Sequence, residues 1–329
     1  MTFHLQPHLD RLYEQSDRRF TFQAGSPDDV RQWQSELRQA LREHLKIDGR
    51  NLPNQVNVTE LYTVQRDGYT ETKYALDARE MQIPVYILRP DAPPPYKAVL
   101  AFPGHGDGVH QILDVQTYGE EAYASGLAQA GYLVCAVEQQ GFGERVTDQL
   151  SDSSQRNSCY HLSFEYLMQG RTLLGERVWD GMLALSFLLQ RPDIDPASVG
   201  CVGHSGGGTT ALFLSALDER ITAAVVSCYF CAFRQSILKV RHCACNYVPG
   251  LLQLAESGEF AGLIAPRPVR FIAGEHDPIF AISGVHEQYA VVQQIYTALD
   301  AADRCSLHIH DSGHTFRIEP ARAWFAQWL

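Results

Sequence analysis

The 329-residue chain has no long run of one charge sign and no basic stripe; Lys+Arg 27 against Asp+Glu 38 leave a formal net charge of −11. Without clustered cations to neutralise phosphates, nucleic acid is excluded as a partner. Long apolar runs are missing too. The longest largely apolar stretch, ITAAVVSCYFCAF (221–233), falls short of the roughly 20 residues that a membrane helix needs, so no membrane span is expected. The segment MTFHLQPHLD lacks both the charged and the apolar region of a secretion signal, which points to a soluble cytoplasmic protein. Cysteine is not arranged as a disulfide framework: its residues sit in core-like runs (Cys135, Cys201, Cys228) and one cluster, as reduced apolar fillers do. Internal repeats and low-complexity segments are absent, and so are G-x-G-x-x-G and a Gly-Lys-Ser/Thr phosphate cradle.

What is present reads as α/β. Ser26-Pro27-Asp28-Asp29 is a helix start, a serine cap followed by proline and acids. Val30, Trp33, Leu37, Leu41 and Leu45 then recur at helical spacing, with Gly49 just beyond. Residues 58–88 are extended, with a turn at Asp67-Gly68, and predict antiparallel strands. Beyond Asp91-Ala92-Pro93-Pro94-Pro95 strands and helices alternate: KAVLAF, a helix ending at Gly131, YLVCAV, a long helix across 165–190, SVGCVG, and a helix over 206–217. ITAAVVS, an insertion, VRFIA, a helix over 284–300, CSLHIH and a last helix follow. Short apolar strands separated by helices predict a mostly parallel sheet covered on both faces, whose ligands bind beyond the strands' carboxyl ends. The expected division is an N-terminal helical extension over 1–57 packed on a catalytic domain over 58–329, with a small cap insertion at about 229–262.

Chemistry is therefore sought just after each strand. Gly203-His204-Ser205-Gly206-Gly207 fits G-x-S-x-G between a strand and a helix, the context of a nucleophile elbow, which makes Ser205 the candidate nucleophile. The order Ser, Asp/Glu, His requires an acid and a base downstream. Among Asp277, Glu275, Asp303 and Asp311 the favoured acid is Asp277, because Pro278 fixes a turn after it. His314 lies in the loop beyond CSLHIH and is the favoured base; His308 and His310 share one face of that strand, more as exposed edge-strand histidines than as a metal half-site. Oxyanion donors are expected from the backbone N–H of Gly206 and, in the glycine-dense loop Pro103-Gly104-His105-Gly106-Asp107-Gly108, of His105.

Cys228-x-x-Cys231 followed by His242-Cys243-Ala244-Cys245 invites a zinc reading. The C-x-C half is too tight to match the usual second half of such sites, so buried thiols are favoured.

The motifs FPGHGDG (102–108), EQQGFGER (138–145), RTLLGERVWDGMLAL (171–185), VGHSGGG (202–208), HCACNYVPGLL (242–252), LIAPRPVRFIAGEHDPIF (263–280) and DSGHTF (311–316) together resemble the α/β-hydrolase superfamily over about 58–329. Within it the chain is most similar to the acetyl xylan esterase-like branch, near the dienelactone hydrolases and prolyl oligopeptidase-type peptidases. The resemblance puts Ser205, Asp277 and His314 on the family's nucleophile, acid and base, and His105 on its upstream oxyanion donor. Related sequences often carry aspartate and arginine where this chain has Glu138 and Gln140.

The implied function is hydrolysis of small carboxylic esters, of short acyl groups, through an acyl-enzyme, with no metal or organic cofactor. A thioesterase or lactonase would use the same triad. A peptidase of the propeller-gated kind needs far more chain ahead of KAVLAF. A hydrolase-fold binding protein would usually have lost a triad member.

Overall fold

Nine strands form one sheet in the computed structural model, which describes residues 3–47, 51–78, 81–147 and 158–329. Gly49 lies outside the described residues, as do Arg79 and Glu80. Strands β1 (Val58–Arg66), β2 (Tyr69–Ala78) and β3 (Met81–Pro90) form an antiparallel meander. The first turn is made at Asp67-Gly68, where Gly68 takes a φ of 81°, a left-handed value that favours glycine. Next come β4 (Tyr96–Phe102), β5 (Leu133–Val137), β6 (Ile194–His204), β7 (Ala223–Ser227), β8 (Val269–Gly274) and β9 (Cys305–His310). The spatial order is β1-β2-β3-β5-β4-β6-β7-β8-β9. Only the β3–β5 junction continues the antiparallel pairing; from β5 onward every pair is parallel.

Helices α1 (Gln6–Glu14) and α2 (Pro27–His44) precede the sheet. Between β4 and β5 lie α3 (His110–Leu113), α4 (Val115–Tyr118) and α5 (Tyr123–Gln129), and between β5 and β6 lie α6 (Cys159–Met168) and α7 (Leu173–Leu189). Helix α8 (Gly206–Leu217) links β6 to β7, α9 (Leu251–Leu254) and α10 (Ser257–Gly262) fall between β7 and β8, α11 (Ile282–Ala298) links β8 to β9, and α12 (Ile318–Trp328) follows β9. Two large apolar cores result, one on each face of the sheet, with a small third cluster of Phe142, Cys159, Leu173 and Cys245. The larger joins α2, α7, α8, α10 and α11 to the sheet, and the smaller joins α3, α5 and α12. Helix α7 is buried over nearly its whole length and largely apolar, as a helix covered on every side must be, with Glu176, Arg177 and Asp180 as its buried charged groups. No helix among the described residues is long and apolar enough to cross a membrane.

Helix α2 starts as its sequence demands: Asp29 N–H donates to Ser26 Oγ at 3.3 Å while Ser26 N–H donates to Asp29 Oδ2 at 2.9 Å. It buries Val30, Gln34, Leu37 and Leu41, and the Gln34 amide donates to the carbonyls of Gly262 and Ala265 at 2.8 Å each. The long helix expected across 165–190 is two helices. Gly170 takes a φ of 69° and ends the first, and Thr172 restarts the chain by accepting the Gly175 N–H at 3.0 Å. Helix α1 has no signature in the sequence pattern, because it buries no residue of its own and so carries no core-facing stripe.

The insertion expected as a cap divides. Its later part, α10, packs against α8 and α11 in the core, with Phe260 5.5 Å from Phe213 of α8. Phe260, Ala261, Leu263 and Ile264 are all fully buried, and so apolar a segment packs beside the sheet rather than over a solvated pocket. Its middle part, residues 242–245, lies at the carboxyl end of the sheet beside the site described next.

Candidate active site

Parallel register brings the sites together. Phe102 at the end of β4 pairs with Gly203 of β6, and Gly274 at the end of β8 pairs with His310 of β9. The loops after these four strands therefore open on the same edge of the sheet.

Ser205 follows β6 and caps α8 with φ 54° and ψ −118°, a strained conformation for a residue with a side chain. Its backbone is over-determined: its N–H donates to Ser227 O at 2.9 Å, and its carbonyl accepts the Thr209 N–H at 2.9 Å. Glycine is required on both sides because a Cβ on Gly203 would overlap the Gly207 carbonyl, and one on Gly207 would overlap Phe102 O. Ser205 stays half-buried, at the positive end of α8.

Of the four candidate acids, only Asp277 meets His314. His314 Nδ1 lies 2.7 Å from Asp277 Oδ2, and Oδ1 accepts the N–H groups of Ile279 at 2.9 Å and Phe280 at 3.1 Å. The Asp277 side chain is 1% exposed. Burial alone would raise its pKa, but the contact with His314 and the two N–H donors outweigh it and hold the carboxyl below its ordinary value. Glu275 is exposed, Asp303 is exposed in the short 302–304 helix, and Asp311 accepts from His276 Nε2 at 2.9 Å. His310, expected on an exposed face, is buried, and His308 is half-buried.

Histidine 204 packs behind the base, its ring centroid 4.9 Å from that of His314 and its Nδ1 3.2 Å from Ser227 Oγ. Burial, and next the nearby His314, push its pKa down to about 3, so it remains neutral where His314 works. Phe280 stacks on His314 at 5.7 Å, and His242 of the insertion lies 5.0 Å from Phe280.

The loop after β4 closes on the other side of Ser205. A Cβ on Gly104 would meet Ser205 Cβ at 3.4 Å, and a Cβ on Gly206 would come within 2.6 Å of His105 Nδ1. Three side chains of EQQGFGER organise this side, a role that the motif alone did not disclose. Glu138 accepts the Val109 N–H at 3.1 Å and the Glu144 N–H at 3.4 Å, the Gln139 amide donates to Pro103 O at 2.6 Å, and the Gln140 amide donates to Asp180 at 2.9 Å. Burial raises Glu138 to about 7 against the pull of those N–H groups.

The suspected four-cysteine cluster separates. Cys228 Sγ lies 3.5 Å from Thr315 O and Cys231 Sγ 3.4 Å from Ala281 O, both away from the C-x-C pair. Cys243 and Cys245 instead join Cys159 and His105, from remote parts of the chain.

Residues 9–248 match the model of the acetyl xylan esterase (AXE1) family, a span that includes His105 and Ser205 and stops before Asp277 and His314. The chain is 29% identical over 260 residues to YtaP of Bacillus subtilis (strain 168), which carries the name of a hydrolase, with 75% of this chain and 83% of that protein aligned. Its fold is similar to that of a Bacteroides fragilis NCTC 9343 protein described as an acetyl xylan esterase, with a TM-score of 0.81 at 19% identity over 94% of this chain and 82% of the other. A glucuronoyl esterase from Solibacter usitatus superposes with a TM-score of 0.67 at 16% identity over 91% of this chain and 94% of that one. The chain belongs to the acetyl xylan esterase family of the α/β-hydrolase superfamily and is a carboxylic ester hydrolase.

Proposed function

We propose that the protein is a serine esterase of short-acyl, acetyl-type esters, with Ser205 as nucleophile, His314 as general base and Asp277 as the acid that orients it. The observation that carries this reading is the 2.7 Å contact of His314 Nδ1 with Asp277 Oδ2 beside the strained Ser205 turn. A proton held on Nδ1 by the carboxylate leaves Nε2 free to take the Ser205 proton as the oxygen attacks the ester carbonyl. The backbone N–H groups of Gly206 and His105 then stabilise the oxyanion, the alcohol leaves with the proton from His314, and water releases the acid from the acyl-serine by the same steps reversed.

The stretch 242–245 supports the short-acyl preference. His242 reaches Phe280, which stacks on His314, and Cys245 reaches His105 on the opposite side of Ser205, at 3.2 Å from its Nε2. A bridge from base side to oxyanion side limits how far an acyl chain can extend. We take 58–329 as the catalytic domain with this cap and 1–57 as an extension packed on it. Free cysteines suit a reducing compartment, so the cytoplasm is the location we propose.

A series of aryl esters, run beside thioesters and lactones, tests the reading. We expect kcat/KM to be highest at about two to four acyl carbons and to fall at least about tenfold by eight, the size of one wrong-sized contact. A profile rising towards long chains would sink the short-acyl assignment, and a thioester optimum would replace the esterase by a thioesterase.

A further inference from the structure

Four soft or borderline donor atoms from three distant segments converge beside the oxyanion loop. Cys159 opens α6, Cys243 and Cys245 belong to the insertion after β7, and His105 stands in the loop after β4. Cys243 Sγ is 2.9 Å from Cys159 Sγ, and His105 Nε2 is 3.2 Å from Cys245 Sγ and 3.7 Å from Cys159 Sγ. All four ligand atoms lie within 4.8 Å of one another. Tetrahedral zinc with Zn–S of about 2.3 Å and Zn–N of about 2.0–2.1 Å has ligand-to-ligand edges of about 3.5–3.8 Å; the His105–Cys159 separation of 3.7 Å matches, and the 2.9 and 3.2 Å separations would open by less than about 1 Å around the metal. Three thiolates and one imidazole select zinc over magnesium or calcium, whose ligands are oxygens.

A second observation concerns charge. Arg177 of α7 is 3% exposed, donates to Gln140 O at 2.6 and 3.0 Å and to Cys159 Sγ at 3.4 Å, and pairs with no carboxylate among the described residues. A buried guanidinium without a counter-charge is costly. Zn²⁺ with three thiolates carries a net charge of about −1, and Arg177 beside Cys159 cancels it. A Cys159–Cys243 disulfide would use two sulfurs and remove the negative charge, leaving His105 Nε2 to Cys245 and Arg177 to Gln140 O and the Phe142 ring, with no counter-charge for the guanidinium.

We propose that His105, Cys159, Cys243 and Cys245 form a closed, structural zinc site. Four protein ligands leave no position for a reacting water, so the metal does not take part in ester cleavage. It fixes the ring of His105, and through it the loop whose N–H is assigned to the oxyanion; this consequence rests on the serine-esterase reading, whereas the site itself does not. The same metal ties the cap stretch 242–245 to the floor of the pocket.

Metal analysis of the purified, unchelated full chain by inductively coupled plasma mass spectrometry should find about one zinc per chain. Cys159→Ser, Cys243→Ser and Cys245→Ser should each lose most of it, while Cys305→Ser, in β9, keeps it. Protein produced in cobalt medium should show the strong visible bands of tetrahedral cobalt and thiolate-to-cobalt charge transfer, a readout that does not depend on any variant folding. Neither measurement uses turnover, so failure here is distinct from failure of the esterase assignment. A metal-free chain with eight titratable thiols, a Cys159–Cys243 disulfide in a non-reducing peptide map, or zinc retained by all three variants would each overturn the proposal.

Discussion

On the base side of Ser205 two loops at neighbouring strand ends meet each other directly, His314 with Asp277, His276 with Asp311 and the His276 N–H with Ser312 O, whereas on the oxyanion side the 103–109 loop is held by side chains from several remote segments. The base side follows from topology. Once β8 and β9 pair in register at Gly274 and His310, the loops carrying Asp277 and His314 emerge next to each other. Across the nucleophile, Glu138 and Gln139 hold the loop's main chain while Cys159 and Cys245 face the His105 ring. Chemistry is therefore separable from folding on one side and entangled with packing on the other.

Substitutions on the base side should thus remove activity and leave the fold. Ser205→Ala is expected to lower kcat on the order of 10⁶-fold with an unchanged melting temperature, and Asp277→Asn by about 10⁴-fold. Near-normal activity of Asp277→Asn together with loss in Glu275→Gln would transfer the acid to the other side of the loop. On the oxyanion side, Gly206→Ala places a Cβ 2.6 Å from His105 Nδ1 and forces that ring to move. Loss of one oxyanion donor costs about 10²–10³ in kcat, so we expect about a hundredfold fall in kcat with KM little changed; a KM effect alone would remove His105 from the oxyanion hole.

The remaining effect lies beneath that loop. Burial raises Glu138 from 4.5 to about 7, so between these pH values the folded chain holds a proton that the unfolded chain has lost. Its stabilisation is complete below pH 4.5 and is lost as pH rises through 7. Glu138→Gln stays neutral throughout, so its melting temperature relative to the wild type should climb by several degrees over that window, on the order of 3 kcal/mol in a chain of this size. A difference independent of pH would mean that the carboxyl is ionised in the folded chain.

The same contrast explains what the sequence disclosed. Gly203-His204-Ser205-Gly206-Gly207 lies between a strand and a helix, and the acid and base each follow their own strand, so local pattern and chain order sufficed to select them. The meander, the parallel strands and the capped α2 were legible for the same reason, since each is written in a contiguous segment. What was hidden is non-local. Cys243-Ala244-Cys245 suggested a partner in Cys228-x-x-Cys231 because those cysteines are near in sequence, but the partners in space are Cys159 and His105. Glu138 and Gln140 read in the sequence as departures from the family's loop pattern; only contacts show Glu138 holding Val109 under the oxyanion loop and Gln140 bonded to Asp180 of α7. The break at Gly170 could have been read from the glycine itself, whereas the burial of α10 against α8 and α11 could not, because an apolar insertion suits a lid and a core equally.

Everything proposed for the site converges on an acyl-enzyme at Ser205, and rapid mixing of the full chain with excess aryl acetate, followed by acid quench and peptide mass mapping, reads it directly. A burst of about one aryl alcohol per chain is expected, with the acetyl group on the peptide containing Ser205. A linear time course without a burst together with no acetyl-peptide in the quenched wild-type chain, or an acetyl group found on a cysteine instead, would contradict it.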